Sequence, residues 1–418
     1  MPQQTDITHQ NTFGCSPESV LFNKVSKSSQ DIECLRYCIS GSANDGKRTL
    51  LKRFPDNDVS IKNEGRQASK VTSMRKFILS ETPGLIGYAG DIHDGVSTPD
   101  VAIILIDAKN GIVDEAKRQS YISSILRIPT VILAINKMDL VNFSEEIYNR
   151  IITEFENTVK KLNLKKVYYI PISAENGDNV IEVAHNMSWY AGDSLLSLLE
   201  NIPLKNVDNE LAPRFPIQYA NESQEERFGT SKGFTGRVSG GVFRVGDIVL
   251  ALPHNKLSTV KGISDGGSEL FEASTPQSVT LQLDGFSDLK KGDMLVRINK
   301  NYPKYSSKIS SQICWLNDNL LQIGEKYIIR HTTDETEVIV TDIRYRVNFS
   351  TLEQDTAGKS VSRNDIAHIT IKSLKPLKYD DYTENRITGS LIFVDVNTFE
   401  TVGTGIIVSD EEVYSYNI

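Results

Sequence analysis

The chain is poor in cysteine, has no excess of basic residues and contains no long apolar run. Four cysteines (Cys15, Cys34, Cys38 and Cys314) in 418 residues make neither a zinc spacing nor a disulfide framework. His93, His185, His254, His331 and His368 show no paired metal-ligand spacing either, which leaves surface or core roles for them. Forty-six Lys and Arg stand against 54 Asp and Glu, a net charge of −8, which weighs against a general duplex-binding protein. The most continuous apolar run, Val101–Ile106, has the length of a buried strand and is far short of a bilayer span. The first ten residues, MPQQTDITHQ, are polar, so no signal peptide is expected and a cytoplasmic location is.

What is present divides at about residue 205. Apolar strands are predicted at Lys76–Leu79, Val101–Ile106, Thr130–Ile135 and Val167–Ile172, with helix-compatible stretches at Asp114–Leu126, Ser144–Leu162 and Asp193–Glu200. Strands alternating with helices mean βαβ units and a mainly parallel sheet. Beyond Pro213 the chain turns to short strands flanked by glycine turns, as in Gly246-Asp-Ile-Val-Leu250 and Gly292-Asp-Met-Leu-Val296, the signature of antiparallel barrels. The expected fold is an α/β P-loop GTPase-like domain (31–204) followed by two all-β barrel domains (211–300 and 301–418). A polar extension (1–30) precedes them, and Asn299–Tyr305 is the break between barrels.

Three motifs carry chemistry. Gly41-Ser-Ala-Asn44-Asp45-Gly46-Lys47-Arg48-Thr49 sits at a strand-to-helix junction, where backbone N–H groups can wrap phosphate oxygens and Lys47 can reach the terminal phosphates. The hydroxyl residue that ligates Mg²⁺ in this pattern is replaced by Arg48, which has no acceptor; Thr49 lies one residue, about 100°, further around the helix. Glu81-Thr-Pro-Gly84-Leu85 follows a strand. There Glu81 takes the place of the Asp that holds a magnesium water, and the Gly84 N–H would sense the γ-phosphate. Asn136-Lys137-Met138-Asp139 follows Val131–Ile135. Its carboxylate can accept both N1–H and N2–H of guanine, Asn136 and Lys137 brace the loop, and Ser173-Ala174 completes the base-side set. The competing reading makes each motif an ordinary surface turn; their order and spacing disfavour it.

With those motifs the chain resembles a P-loop GTPase carrying two β-domains, the layout of translational GTPases. Gly177-Asp-Asn-Val180, Asn186–Gly192, Trp315-Leu316, Asn364–Ala367 and above all Tyr382–Asp395 are similar to the large, GTP-binding subunit of bacterial sulfate adenylyltransferase. The resemblance covers about residues 35–410 and implies a small catalytic subunit as partner. That subunit makes adenylylsulfate and pyrophosphate from ATP and sulfate, driven by GTP hydrolysis on the large subunit. An adenylylsulfate kinase, fused in some members, is not expected in a chain of this length. Leu85 stands where the family carries the histidine that positions attacking water. The segment between Thr49 and Arg75 is shorter than the family's and has no convincing G-I-T-I switch; Ser60 is a candidate remnant.

The resulting expectation is a chain that binds GDP or GTP weakly and has a damaged Mg²⁺ site. It hydrolyses GTP poorly or not at all, and no membrane or nucleic-acid partner is expected. Two other readings stay open, a non-catalytic pseudo-GTPase acting as scaffold or regulator and a translation-type factor. Asn385–Gly389 and the acidic balance argue against the latter.

Overall fold

The computed structural model describes residues 33–54, 67–72, 74–80, 99–204, 210–221, 232–285, 288–298 and 301–409. The first unit contains, in chain order, β1 (Cys34–Ser40), α1 (Lys47–Arg53), β2 (Gln67–Val71), β3 (Lys76–Ser80), β4 (Val101–Asp107) and α2 (Asp114–Ile125). β5 (Thr130–Asn136), α3 (Glu145–Val159), β6 (Val167–Pro171) and α4 (Leu195–Asn201) complete it. Its sheet runs β2-β3-β1-β4-β5-β6, all parallel except β2, which pairs antiparallel with β3. Every residue of β4 and β5 is buried, as expected of central parallel strands covered on both faces. One face packs Leu35, Tyr37, Leu105 and Ile132 against Leu50, Leu195 and Leu199 of α1 and α4. The other packs Ile104, Leu133 and Ile135 against Tyr148, Ile151 and Phe155 of α3. Those helix positions recur every three to four residues, and Ser144 caps the helix by accepting from Ile147 N at 3.3 Å. Parallel strands all ending on the same side place the loops after β1, β4, β5 and β6 together, the usual location of a site in such a sheet.

The second unit comprises β7 (Arg214–Asn221), β8 (Lys232–Arg237), β9 (Ile248–Leu252), β10 (Lys256–Ser264), β11 (Ser278–Leu283) and β12 (Met294–Arg297). They follow the order β9-β12-β7-β8-β11-β10, and pairing of β9 with β10 closes the barrel. The third has β13 (Lys304–Trp315), β14 (Lys326–His331), β15 (Asp334–Asn348), β16 (Ile366–Tyr379), β17 (Ser390–Asp395) and β18 (Thr401–Ile407). Their order is β14-β17-β18-β13-β16-β15, closed by β14 on β15. Closure removes the unpaired edges that open sheets expose.

Helix α2 differs from the amphipathic pattern of α3. It buries Gln119, Ser120, Ser123 and Ser124 as well as Ala116 and Ile122, because it is wedged between the sheet and the third unit. Ser120 and Ser123 return their hydroxyls to the carbonyls of Ala116 and Gln119, both at 2.8 Å, so the buried polar atoms are satisfied. Ile122, Leu126 and Ile128 pack with Cys314, Tyr345, Val347, Phe349 and Ile366 of the third unit.

The Tyr382–Asp395 stretch begins at the junction of all three units. Tyr382 Oη donates to Leu126 O at 3.3 Å and Arg386 to Arg127 O at 2.7 Å, both in the first unit. Asn385 Nδ2 donates to Ser239 O of the second at 2.5 Å. Alongside, Arg214 forms a two-pronged ion pair with Asp380, at 3.0 and 2.8 Å, with both side chains almost wholly buried.

Candidate nucleotide site

The loop between β1 and α1 is folded on itself. The Asp45 carboxylate accepts from Ser42 N at 2.6 Å, and Asp45 N donates to Ser42 O at 3.2 Å. Burial pushes the Asp45 carboxyl up, a shift opposed by that Ser42 hydrogen bond and by the nearby Lys47 charge. The Lys47 ammonium curls over the loop and donates to Gly41 O and Ser42 O, both at 2.6 Å. Gly46 caps α1 in the left-handed region at φ 93°, with no side-chain hydrogen bond to the helix end. The first-turn amides of α1 have no intrahelical acceptors, so they are open to an anion from outside. Arg48 and Asn44 are exposed, and Thr49 is half-buried.

The loop after β5 meets this one directly. Asn136 is buried; its Nδ2 donates to Asp45 O at 2.7 Å and its Oδ1 accepts from Ala174 N at 2.9 Å. One side chain thereby ties the 41–46 loop, the 136–139 loop and the 173–174 loop together. A β-carbon on Gly46 would stand 2.4 Å from Asn136 Nδ2, so glycine is required there for the approach as well as for the positive φ. Asp139 is half-buried, and its Oδ1 accepts from Ser173 Oγ at 2.5 Å; Ser173 Oγ also accepts from Asn176 N at 3.2 Å. Lys137, at φ 63°, pairs with Asp107 at 2.7 Å.

The structure therefore gathers Gly41, Asp45, Gly46, Lys47, Asn136, Lys137, Asp139, Ser173 and Ala174 at one end of the sheet. Glu81, Gly84, Leu85 and Ser60 lie outside the described residues, as does the 1–30 extension. Two contributors escaped the sequence reading. Asp107 holds Lys137 and closes its own turn by accepting from Lys109 N at 2.9 Å; its signal was a carboxylate ending the run Val101–Ile106. Arg53, at the end of α1, donates from Nε to Ala174 O at 3.0 Å and from Nη2 to Glu175 O. Nothing in the pattern of α1 pointed to a partner 121 residues away.

Within the described part of the loop, the groups nearest the phosphate position are ill-suited to holding a cation. The only carboxylate in the 41–49 loop, Asp45, is turned inward onto Ser42 N, and Arg48 offers donors alone. Among the described residues, no group of three or more His, Cys, Asp or Glu is placed to hold a metal ion. Two of the thiols are held away from the reactive thiolate form: burial pushes Cys34 up and Cys314 up to about 12.

Residues 56–203 match the elongation factor Tu GTP-binding domain model, and residues 308–408 match the GTP-eEF1A C-terminal domain-like model. The first match begins downstream of α1 and so does not include the 41–49 loop. The chain is similar to sulfate adenylyltransferase subunit 1 of Cellvibrio japonicus, 35% identical over 90% of this chain and 87% of that protein. It is similar also to the protein of the same name in a Sulfurovum species, at 33% identity over 91% and 88%. A third relative, the bifunctional enzyme CysN/CysC of Mycobacterium tuberculosis, is 31% identical over 90% of this chain and 67% of its own length.

Proposed function

The chain belongs to the sulfate adenylyltransferase subunit 1 family, and from that premise we propose that it is a guanine-nucleotide-binding subunit of a sulfate-activating complex in which GTP hydrolysis is impaired. The observation that carries the binding half is the Asn136 bridge, which makes the phosphate-side and base-side loops one rigid cradle. In that cradle the α1 amides and Lys47 take the phosphates, the ammonium leaving the carbonyls of Gly41 and Ser42 to do so. Asp139, oriented by Ser173, accepts N1–H and N2–H of guanine, and the Lys137 stem covers the base while its charge is held by Asp107.

The impaired half rests on Arg48, with Glu81 and Leu85 as the accompanying departures in sequence. Phosphoryl transfer depends on positioning and charge stabilisation. A guanidinium at position 48 supplies counter-charge to phosphate without binding a metal, which supports nucleotide retention more than turnover. The adenylyl transfer itself is assigned to a small catalytic subunit, bound through a surface of this chain.

Two measurements test this reading. Asp139→Asn exchanges a pure acceptor for a side chain that also donates, so it should lower GTP affinity roughly 10- to 100-fold and favour xanthosine triphosphate, whose O2 accepts where guanine N2–H donates. Equal GTP binding by both proteins would remove the base-site assignment. Mixing the chain with the small subunit and assaying adenylylsulfate with and without GTP tests the partner. A complex without GTP stimulation would make this chain a structural subunit, and no complex would favour a scaffold in another setting.

A further inference from the structure

The 173–177 loop after β6 uses its backbone donors one by one. Ser173 N donates to Asp178 O at 3.2 Å and Gly177 N to Ser173 O at 2.7 Å. Ala174 N donates to Asn136 Oδ1 at 2.9 Å and Asn176 N to Ser173 Oγ at 3.2 Å. Among the described residues, Glu175 N–H has no acceptor. Its direction is set by the peptide bond it belongs to, because a trans peptide points its C=O and the following N–H to opposite sides. The C=O of that peptide is Ala174 O, which accepts from Arg53 Nε at 3.0 Å. The next carbonyl, Glu175 O, accepts from Arg53 Nη2, and the N–H opposite it, that of Asn176, reaches Ser173 Oγ. Ser173 Oγ in turn donates to Asp139. Arg53 therefore holds two successive carbonyls toward the end of α1 and turns the amides behind them to the Asp139 side.

We propose that Arg53 is a positioning residue for base recognition: it aims Glu175 N–H at the base, where that donor reads an acceptor beside the N–H groups taken by Asp139. Guanine presents this order along one edge, N2–H and N1–H followed by the O6 carbonyl. Adenine carries an amine at position 6, which a fixed donor disfavours. The inference rests on the guanine reading above and adds the group that reads position 6. A basic residue at a helix C-terminus is ordinary electrostatics against the helix dipole. A fork onto two successive carbonyls, 121 and 122 residues away in sequence, goes beyond that. It calls for the rigid planar donors of a guanidinium, where a lysine ammonium offers a point charge.

The test is calorimetric titration of the full chain with GDP, with inosine diphosphate, which lacks only the N2 amine, and with 6-thio-GDP, in which a weakly accepting sulfur replaces O6. The unaltered chain should prefer GDP over both. Arg53→Ala should weaken GDP about tenfold, the upper end for one hydrogen bond, and 6-thio-GDP far less, so that the preference between those two collapses. The preference for GDP over inosine diphosphate, read at Asp139, should stay as it is. Arg53→Lys, which keeps the charge without the fork, should fall between. Arg53 is exposed, so its variants should fold, and circular dichroism with melting checks that they do. An equal loss for all three nucleotides in Arg53→Ala would show a merely structural role and overturn the proposal, as would an unaltered chain that binds GDP and 6-thio-GDP alike. An unaltered chain indifferent between GDP and inosine diphosphate would remove the Asp139 reading itself, and the proposal with it.

Discussion

At the scale of single residues, the weight of the nucleotide site rests on Asn136. Its position after an apolar strand, in Asn-Lys-Met-Asp, marked it from sequence as a loop brace. What the sequence did not carry was the identity of the braced atoms, Asp45 O and Ala174 N, because they come from segments 91 and 38 residues distant. Asn136→Ala orphans both. Each buried polar group left without a partner costs about 1–3 kcal/mol, so urea unfolding of the variant should show a loss of that order per group, together with weakened GTP binding. Unchanged stability would mean the bridge is not made in solution. Arg48 is the opposite case: its identity alone, with no partner needed, argued for a lost metal ligand. Reverting Arg48→Ser with Leu85→His is expected to restore little turnover, because the sequence between Thr49 and Arg75 offers no convincing G-I-T-I element.

Among elements, the βαβ alternation was legible because β4 and β5 are buried on both faces and read as unbroken apolar runs. Strand β2 was not expected: Gln67-Ala-Ser-Lys-Val71 shows no apolar alternation, and it joins the sheet by pairing at an edge. The expected Asn299–Tyr305 break runs two residues into β13, which starts at Lys304. Helix α2 was placed correctly, but its polar faces gave no hint that a second unit would cover them. The contact of β7 with the end of β16 is likewise invisible in sequence, since Arg214 and Asp380 are 166 residues apart. Thr388 Oγ1 also donates to Asp380, at 2.5 Å. Removing one member of such a buried pair strands the other's charge, typically at about 3–5 kcal/mol. Arg214→Ala should therefore lose stability on that scale in chemical denaturation, and the apolar double substitution Arg214→Met with Asp380→Leu should recover part of it. An additive double variant would show that the two charges do not interact.

For the whole molecule, the buried polar cluster of the third unit predicts an acid-side weakness. His331 is buried and donates Nε2–H to Thr388 O at 2.7 Å. Burial pushes its pKa below the usual 6.5, against the pull of that hydrogen bond and of Asp334 and Asp380. With the folded value depressed, the unfolded chain takes up the proton first as pH falls through about 6.5, so stability drops below that pH and levels off only beneath the folded value. His331→Gln keeps an N–H for Thr388 O and should flatten melting temperature against pH below about 6.5; an unchanged profile would exclude His331 as the source.

Three units meet at Tyr382–Gly389, within the stretch that carried the family resemblance, whereas the 41–49 loop departs from the P-loop pattern at Arg48; the proposed function accordingly separates a kept assembly from impaired hydrolysis. The most direct test of that division is to equilibrate GTP with excess chain, isolate the complex and identify the bound nucleotide, once with Mg²⁺ and once with EDTA. The account predicts intact GTP retained to the same extent in both. Conversion to GDP that requires Mg²⁺, or no nucleotide retained in either condition, would contradict it.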